Sequence, residues 1–293
     1  MIQEGGLIIR IGVIGGDKRE EVLINNLAQQ GFTFKILKKN ALDTEAVKYF
    51  NDIKEVISDV DAVLAPMSST DHEGYLKSTF DNRSIKLDRN FFSLLDPQKP
   101  FIIGIARPSI KKELEFAGIK YIELARQADL AILNAIPTAE GAIKIAIEET
   151  DYTLYNSRTL VFGLGKVGLT LAWRLRMLGA ESYAVTRDRK AAARGKDLGI
   201  KMFAYEELNG IISDMNILFN TVPVRIISKE IISLLKKDSV IIDLASAPGG
   251  TDFTEAEKAG IKAILALGLP GKIAPVTAGK ILADILPGLL SDL

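Results

Sequence analysis

One glycine-rich segment is the clearest set of residues in this 293-residue sequence that could do chemistry. It has the spacing GxGxxG, follows a short apolar run at residues 160–162 and opens an amphipathic stretch at 167–178. In a strand–turn–helix unit, the first glycine allows a tight turn, the second lets backbone amides approach a pyrophosphate, and the third lets the helix pack on the strand. The helix N-terminus adds N–H donors and a positive dipole end. The segment therefore predicts a dinucleotide-binding loop, with a simple glycine turn as the alternative; its residues are Gly163, Leu164, Gly165, Lys166, Val167 and Gly168.

The residues after the next strand indicate which dinucleotide would bind. A carboxylate at the end of that strand would accept a hydrogen bond from a ribose 2′-hydroxyl, whereas a guanidinium suits a 2′-phosphate. Thr186 and Arg187 occupy the expected strand end, and Asp188, Arg189 and Lys190 follow. This order predicts NADP rather than NAD. The alternative is a solvated, basic start of a helix, with Asp188 binding the hydroxyl.

Two further segments follow apolar runs in the same half and are expected to border the nicotinamide end of the cofactor. Ligands of open α/β sheets bind at the carboxyl ends of the strands. The proline in the first segment could instead only terminate its strand. The segments are Asn220, Thr221, Val222 and Pro223, and then Leu244, Ala245 and Ser246 with Pro248.

The elements that must position these residues form a regular pattern along the chain. Short β-branched apolar runs alternate with longer amphipathic stretches, which is typical of parallel sheets flanked by helices. Strands are expected near residues 8–14, 34–37, 62–64, 101–105, 121–124, 160–162, 182–185, 217–220, 240–243 and 263–265. Helices are expected to include residues 18–30, 110–117, 138–150, 167–178 and 228–235.

A polar stretch at residues 151–158 divides this pattern into two domains. Residues 1–150 are expected to form a flavodoxin-like or Rossmann-like α/β substrate domain, and residues 151–276 a Rossmann domain with a doubly wound parallel sheet. Pro137 predicts the end of one segment, and Thr138 predicts the cap of a helix that bridges the domains. The terminal helix, within residues 277–293, could pack back on the first domain, because its apolar face would otherwise lie loose.

The composition excludes several classes of function. The 37 basic and 37 acidic residues cancel, which argues against a dedicated nucleic-acid binder. The absence of cysteine removes disulfides, thiolate nucleophiles and cysteine-ligated zinc, and a single histidine, His72, leaves no multi-histidine metal site. The N-terminus lacks a signal-peptide pattern, and the longest uncharged stretches are about half of the roughly 20 residues of a membrane helix. We therefore expect a cytoplasmic protein without metal, nucleic-acid or membrane partners.

Six segments resemble the family of bacterial dipicolinate synthase A subunits. The most specific are DLASAPGGTDF at residues 243–253 and, soon after it, ALGLPGKIAPVTAG at 266–279. The resemblance extends over nearly the whole chain and is looser in the first half. The other four segments are IGVIGGDKRE at 11–20, PMSSTDHEG at 66–74, NAIPTAEG at 134–141 and DYTLYNSRTLVFGLGKVG at 151–168.

The resemblance implies the last step in the synthesis of dipicolinate, which is pyridine-2,6-dicarboxylate. The substrate would be a hydroxylated tetrahydrodipicolinate from the lysine pathway, a small cyclic dicarboxylate that loses water and gives a hydride to NADP. A smaller, flavoprotein-like B subunit is the implied partner, and the mother cell of a sporulating bacterium is the implied location. A homo-oligomer is expected as well.

A dicarboxylate needs two anion-binding positions, which the first half of the chain can supply. The candidates that would bind it are Ser68, Ser69, Thr70, Arg107 and the helix start at Thr138. No general base stands out, so the catalytic residues stay unknown, with His72 and Lys272 as the weaker candidates and ordinary solvated side chains as the alternative. The turns at 247–251 and 268–275 are candidate lids over the nicotinamide.

Two other functions stay open. The chain could be another two-domain NADP-dependent dehydrogenase, acting on a folate or a hydroxyacid. Hydroxyacid dehydrogenases generally have a catalytic histidine in the nucleotide-binding half, and residues 151–293 contain none. The chain could also be an NADP-binding regulatory or scaffold subunit whose partner does the chemistry. The IGVIGGD segment at residues 11–17 does not have the GxGxxG spacing, which favours a turn of the substrate domain over a second nucleotide site.

Overall fold

Two six-stranded parallel sheets organise the protein. The computed structural model describes residues 8–37, 42, 44–80 and 85–291, so residues 1–7, on which the signal-peptide expectation depends, lie outside the described part. The chain divides into two compact units, one holding the residues up to Ala131 and those from Ala274 onward, the other holding Ile132–Ile273. The boundary therefore falls near residue 131, whereas the sequence predicts it near residue 150.

The first unit has the strand order β3-β2-β1-β4-β5-β6, with every pair parallel. Apolar side chains cover both faces of this sheet, as a doubly wound sheet requires. The order reverses between β1 and β4, so the ligand crevice of this unit is expected where those two strands end. The elements are β1 (Arg10–Val13), α1 (Lys18–Ala28), β2 (Thr33–Leu37), β3 (Val47–Phe50), α2 (Ile53–Ile57), β4 (Ala62–Leu64), α3 (Arg89–Phe92), β5 (Phe101–Ile103), α4 (Pro108–Phe116) and β6 (Tyr121–Glu123).

The second unit repeats this topology, with the order β12-β11-β10-β7-β8-β9 and the reversal between β7 and β10. The predicted two-domain α/β fold with a Rossmann dinucleotide-binding domain is confirmed, and the first unit has the Rossmann strand order rather than the flavodoxin order. The next helix, which leads into this unit, is α5 (Ala128–Glu148). The elements that follow are β7 (Arg158–Phe162), α6 (Lys166–Met177), β8 (Glu181–Val185), α7 (Arg189–Asp197), β9 (Lys201–Phe203), β10 (Ile217–Asn220), α8 (Lys229–Ser233), β11 (Val240–Asp243), α9 (Phe253–Ala259), β12 (Lys262–Leu265) and α10 (Leu269–Ile273).

Helix α5 differs from its prediction. It begins at Ala128 and contains Pro137 in its interior, so the expected helix start at Thr138 is wrong. The Thr138 hydroxyl instead donates a hydrogen bond to the carbonyl of Asn134, one turn earlier (2.7 Å). By length and a mean hydropathy of 1.4, α5 is the one helix among the described residues that could cross a membrane. Core helices of soluble proteins meet the same criteria, and 44% of its most apolar window is buried inside the protein.

The last helix, α11 (Pro275–Ser291), packs against α1 in the first unit. The approach is close at Gly279, where a Cβ atom would lie 2.5 Å from the carbonyl oxygen of Arg19. One face of α11 is buried in the hydrophobic core of this unit, through Ile281, Leu282, Ala283 and Leu286. The chain therefore returns to its first sheet after completing the second.

Glu20 joins two loops at the carboxyl edge of the first sheet. Its Oε1 accepts a hydrogen bond from the N–H of Met67 after β4, and its Oε2 accepts one from the N–H of Asp17 after β1 (both 2.7 Å). The residue is 1% exposed. Burial, together with the charge of Asp17, raises the pKa of Glu20 to about 7, against the opposing effects of Arg19 and the two N–H donors.

Glu20 is therefore expected to make stability depend on pH. Its pKa in the folded state, about 7, lies above the ordinary value of 4.5, so the folded protein holds this proton more tightly than the unfolded chain does. The resulting stabilisation is fully present below the ordinary pKa and is lost as the pH rises through the folded-state pKa. Relative to Glu20→Gln, the free energy of unfolding should fall by about 2–3 kcal/mol over this range. Urea denaturation of both proteins near pH 5 and near pH 8 measures it, and a difference that stays constant would contradict the expectation.

Candidate functional site

Each glycine of the GxGxxG segment has a distinct structural role at the carboxyl end of β7. Gly163 has a φ of +85°, the left-handed conformation that favours glycine, and its N–H donates to the carbonyl of Val185 (2.9 Å). A Cβ atom on Gly168 would lie 2.0 Å from the carbonyl oxygen of Gly163, so α6 can pack here only without a side chain. A Cβ atom on Gly165 would meet no atom of the described residues within 4 Å.

The N-terminus of α6 has the features of an anion-binding site. Gly165 is its N-cap residue, and within the described chain no side chain caps the first turn of the helix. The N–H donors of that turn therefore face the open space in front of Gly165. These observations fit a dinucleotide pyrophosphate. A groove of about 720 Å³ opens beside the loop, and its polar lining residues are Lys166, Thr170, Arg174, Asp188, Lys190 and Arg194.

The end of β8 presents an exposed arginine beside an aspartate that acts as a helix cap. One carboxylate oxygen of Asp188 accepts hydrogen bonds from the N–H groups of Lys190 (2.8 Å) and Ala191 (3.2 Å) at the start of α7. The hydroxyl of Thr186 accepts a hydrogen bond from the N–H of Asp188 (3.2 Å). Arg187 is exposed, and Arg189, also exposed, is the first residue of α7. Asp188 thus has a local structural role, whereas Arg187, exposed at the strand end, caps no helix.

Buried polar side chains hold the two loops that follow β10 and β11. Asn220 bonds to both backbone polar groups of Val222, and its Nδ2 also donates to Asp243 Oδ1 (3.0 Å). Asp243 is fully buried and accepts further hydrogen bonds from the N–H groups of Ala245 and Gly250 and from the hydroxyl of Thr251. The four donors compensate the buried charge. Asn220 therefore holds both loops in place. Of the residues predicted to border the cofactor, Pro223, Ser246 and Pro248 are exposed, and Val222 and Leu244 are half-buried.

Replacing Asp243 is expected to destabilise the second unit. In Asp243→Asn, the new amide group would face donors instead of accepting from them, so two of the four hydrogen bonds would be lost inside the core. We expect a loss of about 1–3 kcal/mol in the free energy of unfolding, measured by urea denaturation. Asp252→Asn is the control, because asparagine still caps α9 through Oδ1 and loses only the pairing of Oδ2 with the exposed Arg225 (3.3 Å), which contributes at most about 1 kcal/mol. Equal effects of the two substitutions would contradict the role of the Asp243 network.

Two predicted substrate residues, Thr70 and Arg107, and the catalytic candidate His72 come together at the carboxyl ends of β4 and β5 in the first unit. The Nε of Arg107 donates to the carbonyl of Thr70 (3.4 Å), and its Nη1 lies 3.4 Å from Nδ1 of His72. Thr70 is 2% exposed, and its hydroxyl has no hydrogen-bond partner among the described residues. The positive charge of Arg107 at this edge suits an anionic ligand, and the unpartnered Thr70 hydroxyl is a further polar group of the same loop.

The two serines of this loop have structural partners. The Ser68 hydroxyl donates to the carbonyl of Lys77 (2.5 Å). Ser69 has a φ of +60°, unusual for a residue other than glycine, and its hydroxyl accepts a hydrogen bond from the N–H of Ile105 (2.7 Å). Both therefore shape the loop that places Thr70 against Arg107.

The remaining predicted residues lie elsewhere. Thr138 lies within α5 rather than at a helix start, and its hydroxyl is bonded to Asn134. Lys272 is exposed on α10. Sequence reasoning did not identify Glu20, whose capping-box spacing with Asp17 was the available signal. It also did not single out Asp243 or Tyr205.

The glycine turn after β1 is closed by its own surroundings. The N–H of Gly16 donates to the Ser78 hydroxyl (3.0 Å), and the N–H of Asp17 donates to Glu20. A Cβ atom on Gly16 would lie 2.8 Å from the ring of Phe80. These contacts use the donors that a phosphate would need, which favours the interpretation of this segment as a turn of the substrate domain. No cluster of three potential His, Asp or Glu metal ligands exists among the residues described.

Comparisons with known proteins cover both units. The family model for the N-terminal domain of the dipicolinate synthase A subunit matches residues 10–125. The model "D-isomer specific 2-hydroxyacid dehydrogenase, NAD binding domain" matches residues 138–249, so the second unit contains a nicotinamide-dinucleotide-binding domain. The dipicolinate synthase A subunit of Bacillus subtilis (strain 168) is 37% identical over 289 residues, covering 97% of this chain and 97% of that protein.

Solved structures agree over the full length. The crystal structure of the dipicolinate synthase A subunit from Bacillus halodurans has a TM-score of 0.92 and 34% identity, covering 98% of this chain and 99% of that one. The crystal structure of its Bacillus subtilis counterpart has a TM-score of 0.90 and 36% identity, covering 98% and 97%. A transhydrogenase from Sinorhizobium meliloti shares the fold, with a TM-score of 0.70 and 18% identity over 97% of this chain and 92% of its own. The first-unit model, the full-length relative and the two matching structures together show that the chain belongs to the family of dipicolinate synthase A subunits.

Proposed function

We propose that this chain is the NADP-linked dehydrogenase subunit of a dipicolinate synthase. Its substrate is a hydroxylated tetrahydrodipicolinate, a cyclic dicarboxylate. Loss of one water, followed by transfer of a hydride to NADP⁺ and release of a proton, converts this ring to aromatic pyridine-2,6-dicarboxylate. The proposal places both the binding of the dinucleotide and the binding of the dicarboxylate on this chain.

The uncapped N-terminus of α6 in front of the open Gly165 carries the proposal. The backbone N–H groups at 165–168 would hold the pyrophosphate, and Arg187 would pair with the 2′-phosphate. The use of Asp188 as the cap of α7 supports NADP over NAD, because that carboxylate is engaged with backbone donors. Bound NADP⁺ supplies the hydride acceptor, so the protein itself has to orient the ring and control charge.

The Arg107 cluster is the proposed site for one substrate carboxylate. The guanidinium of Arg107 and the hydroxyl of Thr70 supply donors, and the loop formed by Ser68 and Ser69 holds them in place. Arg107 can only donate, so at neutral His72 the Nδ1 atom accepts and the ring proton lies on Nε2. In that tautomer the Nε2–H of His72 can donate a hydrogen bond to the substrate. This favours a role of His72 in substrate binding over a role as the general base. Lys272, exposed on α10, is proposed to neutralise a substrate carboxylate.

The family supports the remaining proposals. Since the relatives are A subunits by name, we propose that a second, B subunit is the partner. Cytoplasmic assembly and homo-oligomerisation of this chain complete the proposed arrangement. These proposals depend on the family and on no contact in the structure.

Reconstitution tests the function. The chain is purified alone and with the B subunit, the hydroxylated precursor is added with NADP or with NAD, and the absorbance of NADPH and of the pyridine dicarboxylate is followed. We expect both signals to appear together, faster with NADP. Absence of both signals from the complete pair would overturn the proposal, and NADP binding without turnover would favour a regulatory or scaffold subunit.

A further inference from the structure

Tyr205 lies beside Arg187 because of the sheet topology. β8 and β9 are parallel neighbours in register, with Val185 opposite Phe203. The two chain segments that leave these strands therefore emerge side by side at the carboxyl edge. Arg187 is the second residue after β8, and Tyr205 is the second after β9, at the start of a 3-10 helix.

The tyrosine ring packs against the hydrophobic core, whereas the arginine side chain is exposed. The Tyr205 ring is half-buried against the hydrophobic cluster that contains Leu208 and Ile212. The Arg187 guanidinium carbon lies 5.8 Å from the centre of this ring, within the range of a cation–π contact. An exposed arginine otherwise samples many rotamers, so a fixed aromatic surface reduces the freedom it must lose when it binds a ligand.

The charge of Arg187 is not neutralised by a neighbour. Within the described part of the chain, no carboxylate oxygen lies within 4 Å of its guanidinium nitrogens. One Asp188 oxygen caps α7, and Glu207 turns back to accept a hydrogen bond from the N–H of Ala204 (2.7 Å). Burial raises the pKa of the Tyr205 hydroxyl, and the charge and hydrogen bond of Arg187 oppose that rise. Arg187 thus faces a polarisable ring and a hydroxyl, with its charge available to a ligand.

We infer that Tyr205 is a specificity-determining residue that positions Arg187 for the 2′-phosphate of the dinucleotide. The inference rests on the proposed function, which gives Arg187 that ligand. Tyr205 acts through Arg187 and is a positioning residue. Its removal should therefore weaken recognition of the 2′-phosphate and leave recognition of the rest of the nucleotide unchanged.

Calorimetric titration of the full chain with 2′,5′-ADP and with 5′-AMP tests this, since the two probes differ only in the 2′-phosphate. Tyr205→Leu keeps apolar packing and removes the ring face and the hydroxyl. We expect it to weaken 2′,5′-ADP binding about 3- to 10-fold and to change AMP binding by less than about 2-fold. Tyr205→Phe keeps the ring and should give a smaller selective loss. Phe116→Leu is the control. The Phe116 ring in the first unit also contacts an arginine, and the guanidinium carbon of Arg89 lies 3.8 Å from the centre of that ring.

A double-mutant cycle separates the inference from the proposed function. In the Arg187→Ala background, Tyr205→Leu should cause no further selective loss. If Tyr205→Leu weakened the binding of both probes equally, the ring would stack on the base rather than position Arg187. If it weakened the binding of neither, Arg187 would need no support from the ring. Each result overturns the inference. If Arg187→Ala weakens the binding of both probes equally, or of neither, the proposed NADP preference is wrong, and the inference is wrong with it.

Discussion

Arg187→Ala is expected to remove the proposed preference for NADP. A guanidinium that makes charge-assisted hydrogen bonds to a phosphate contributes about 2–4 kcal/mol, which corresponds to about a 30- to 1,000-fold loss of NADP affinity. NAD carries a hydroxyl at the same position and should bind the variant about as well as it binds the native protein. Arg187 is exposed at the strand end and pairs with no carboxylate in the described structure, so its loss should leave the fold intact.

Dissociation constants for NADP and NAD, measured by calorimetry on native and variant protein, give the result directly. Arg189→Ala is the matched control, because Arg189 is equally exposed two residues later but lies in the first turn of α7. It should change NADP affinity by less than about 3-fold. Equal affinities of the native protein for NADP and NAD would contradict the role of Arg187 in binding the 2′-phosphate. They would favour the alternative that Arg187 belongs to a solvated, basic start of a helix.

The strands that the sequence pattern did not predict share a physical reason. β3, with the sequence VKYF, and β9, with KMF, each lie at one edge of their sheet and pair on one side only, whereas the strands at the opposite edges, β6 and β12, are predicted. Lys48 and Lys201 are exposed in them, so neither strand forms a continuous buried apolar run. Central strands such as β7 and β10 are covered on both faces, so their continuous apolar runs can be predicted from the sequence. The pattern therefore predicts all eight central strands but only two of the four edge strands.

Pro137 shows how tertiary burial overrides a local signal. Proline lacks the N–H that would bond one turn back, which is why it predicts a helix end. In α5 the helix continues because small residues on both sides of Pro137 are buried, among them Ala135 and Ala139. The carbonyl that loses its donor is that of Leu133, and the Thr138 hydroxyl bonds the next carbonyl, that of Asn134, which reinforces the same turn. Such compensation depends on packing partners far along the chain, which no local pattern reveals.

The dinucleotide loop could be predicted because all of its requirements are local. Three glycines within six residues allow the tight turn, the approach of the backbone to a pyrophosphate and the packing of α6 on β7. The hydrogen bond between Glu20 and Met67, by contrast, joins residues 47 positions apart. The Asp243 network likewise depends on Asn220, from the neighbouring strand. Short-range spacing therefore predicts where a ligand could bind, and the fold determines which side chains hold that loop in place.

Gly165→Ala is expected to block the dinucleotide without disturbing the fold. Gly165 has a φ of −69°, which alanine adopts freely, and the added methyl group would meet no atom of the described residues within 4 Å. The methyl would instead occupy the space that the pyrophosphate needs. An extra methyl in a close contact costs about 1–3 kcal/mol, which corresponds to about a 5- to 150-fold loss of affinity for NADP and NAD alike. Because alanine is a poorer N-cap than glycine, the free energy of unfolding should fall by no more than about 1 kcal/mol.

Gly168→Ala is the matched comparison, since it adds the same methyl group three residues later. There the Cβ atom would lie 2.0 Å from the Gly163 carbonyl oxygen, so α6 must move away from β7. This variant should lose both cofactor affinity and stability, whereas Gly165→Ala should lose affinity alone. Urea denaturation and nucleotide titration of the two variants separate these outcomes. Native affinity in Gly165→Ala would mean that the pyrophosphate binds elsewhere, and matched destabilisation of the two variants would mean that the space before α6 is not open.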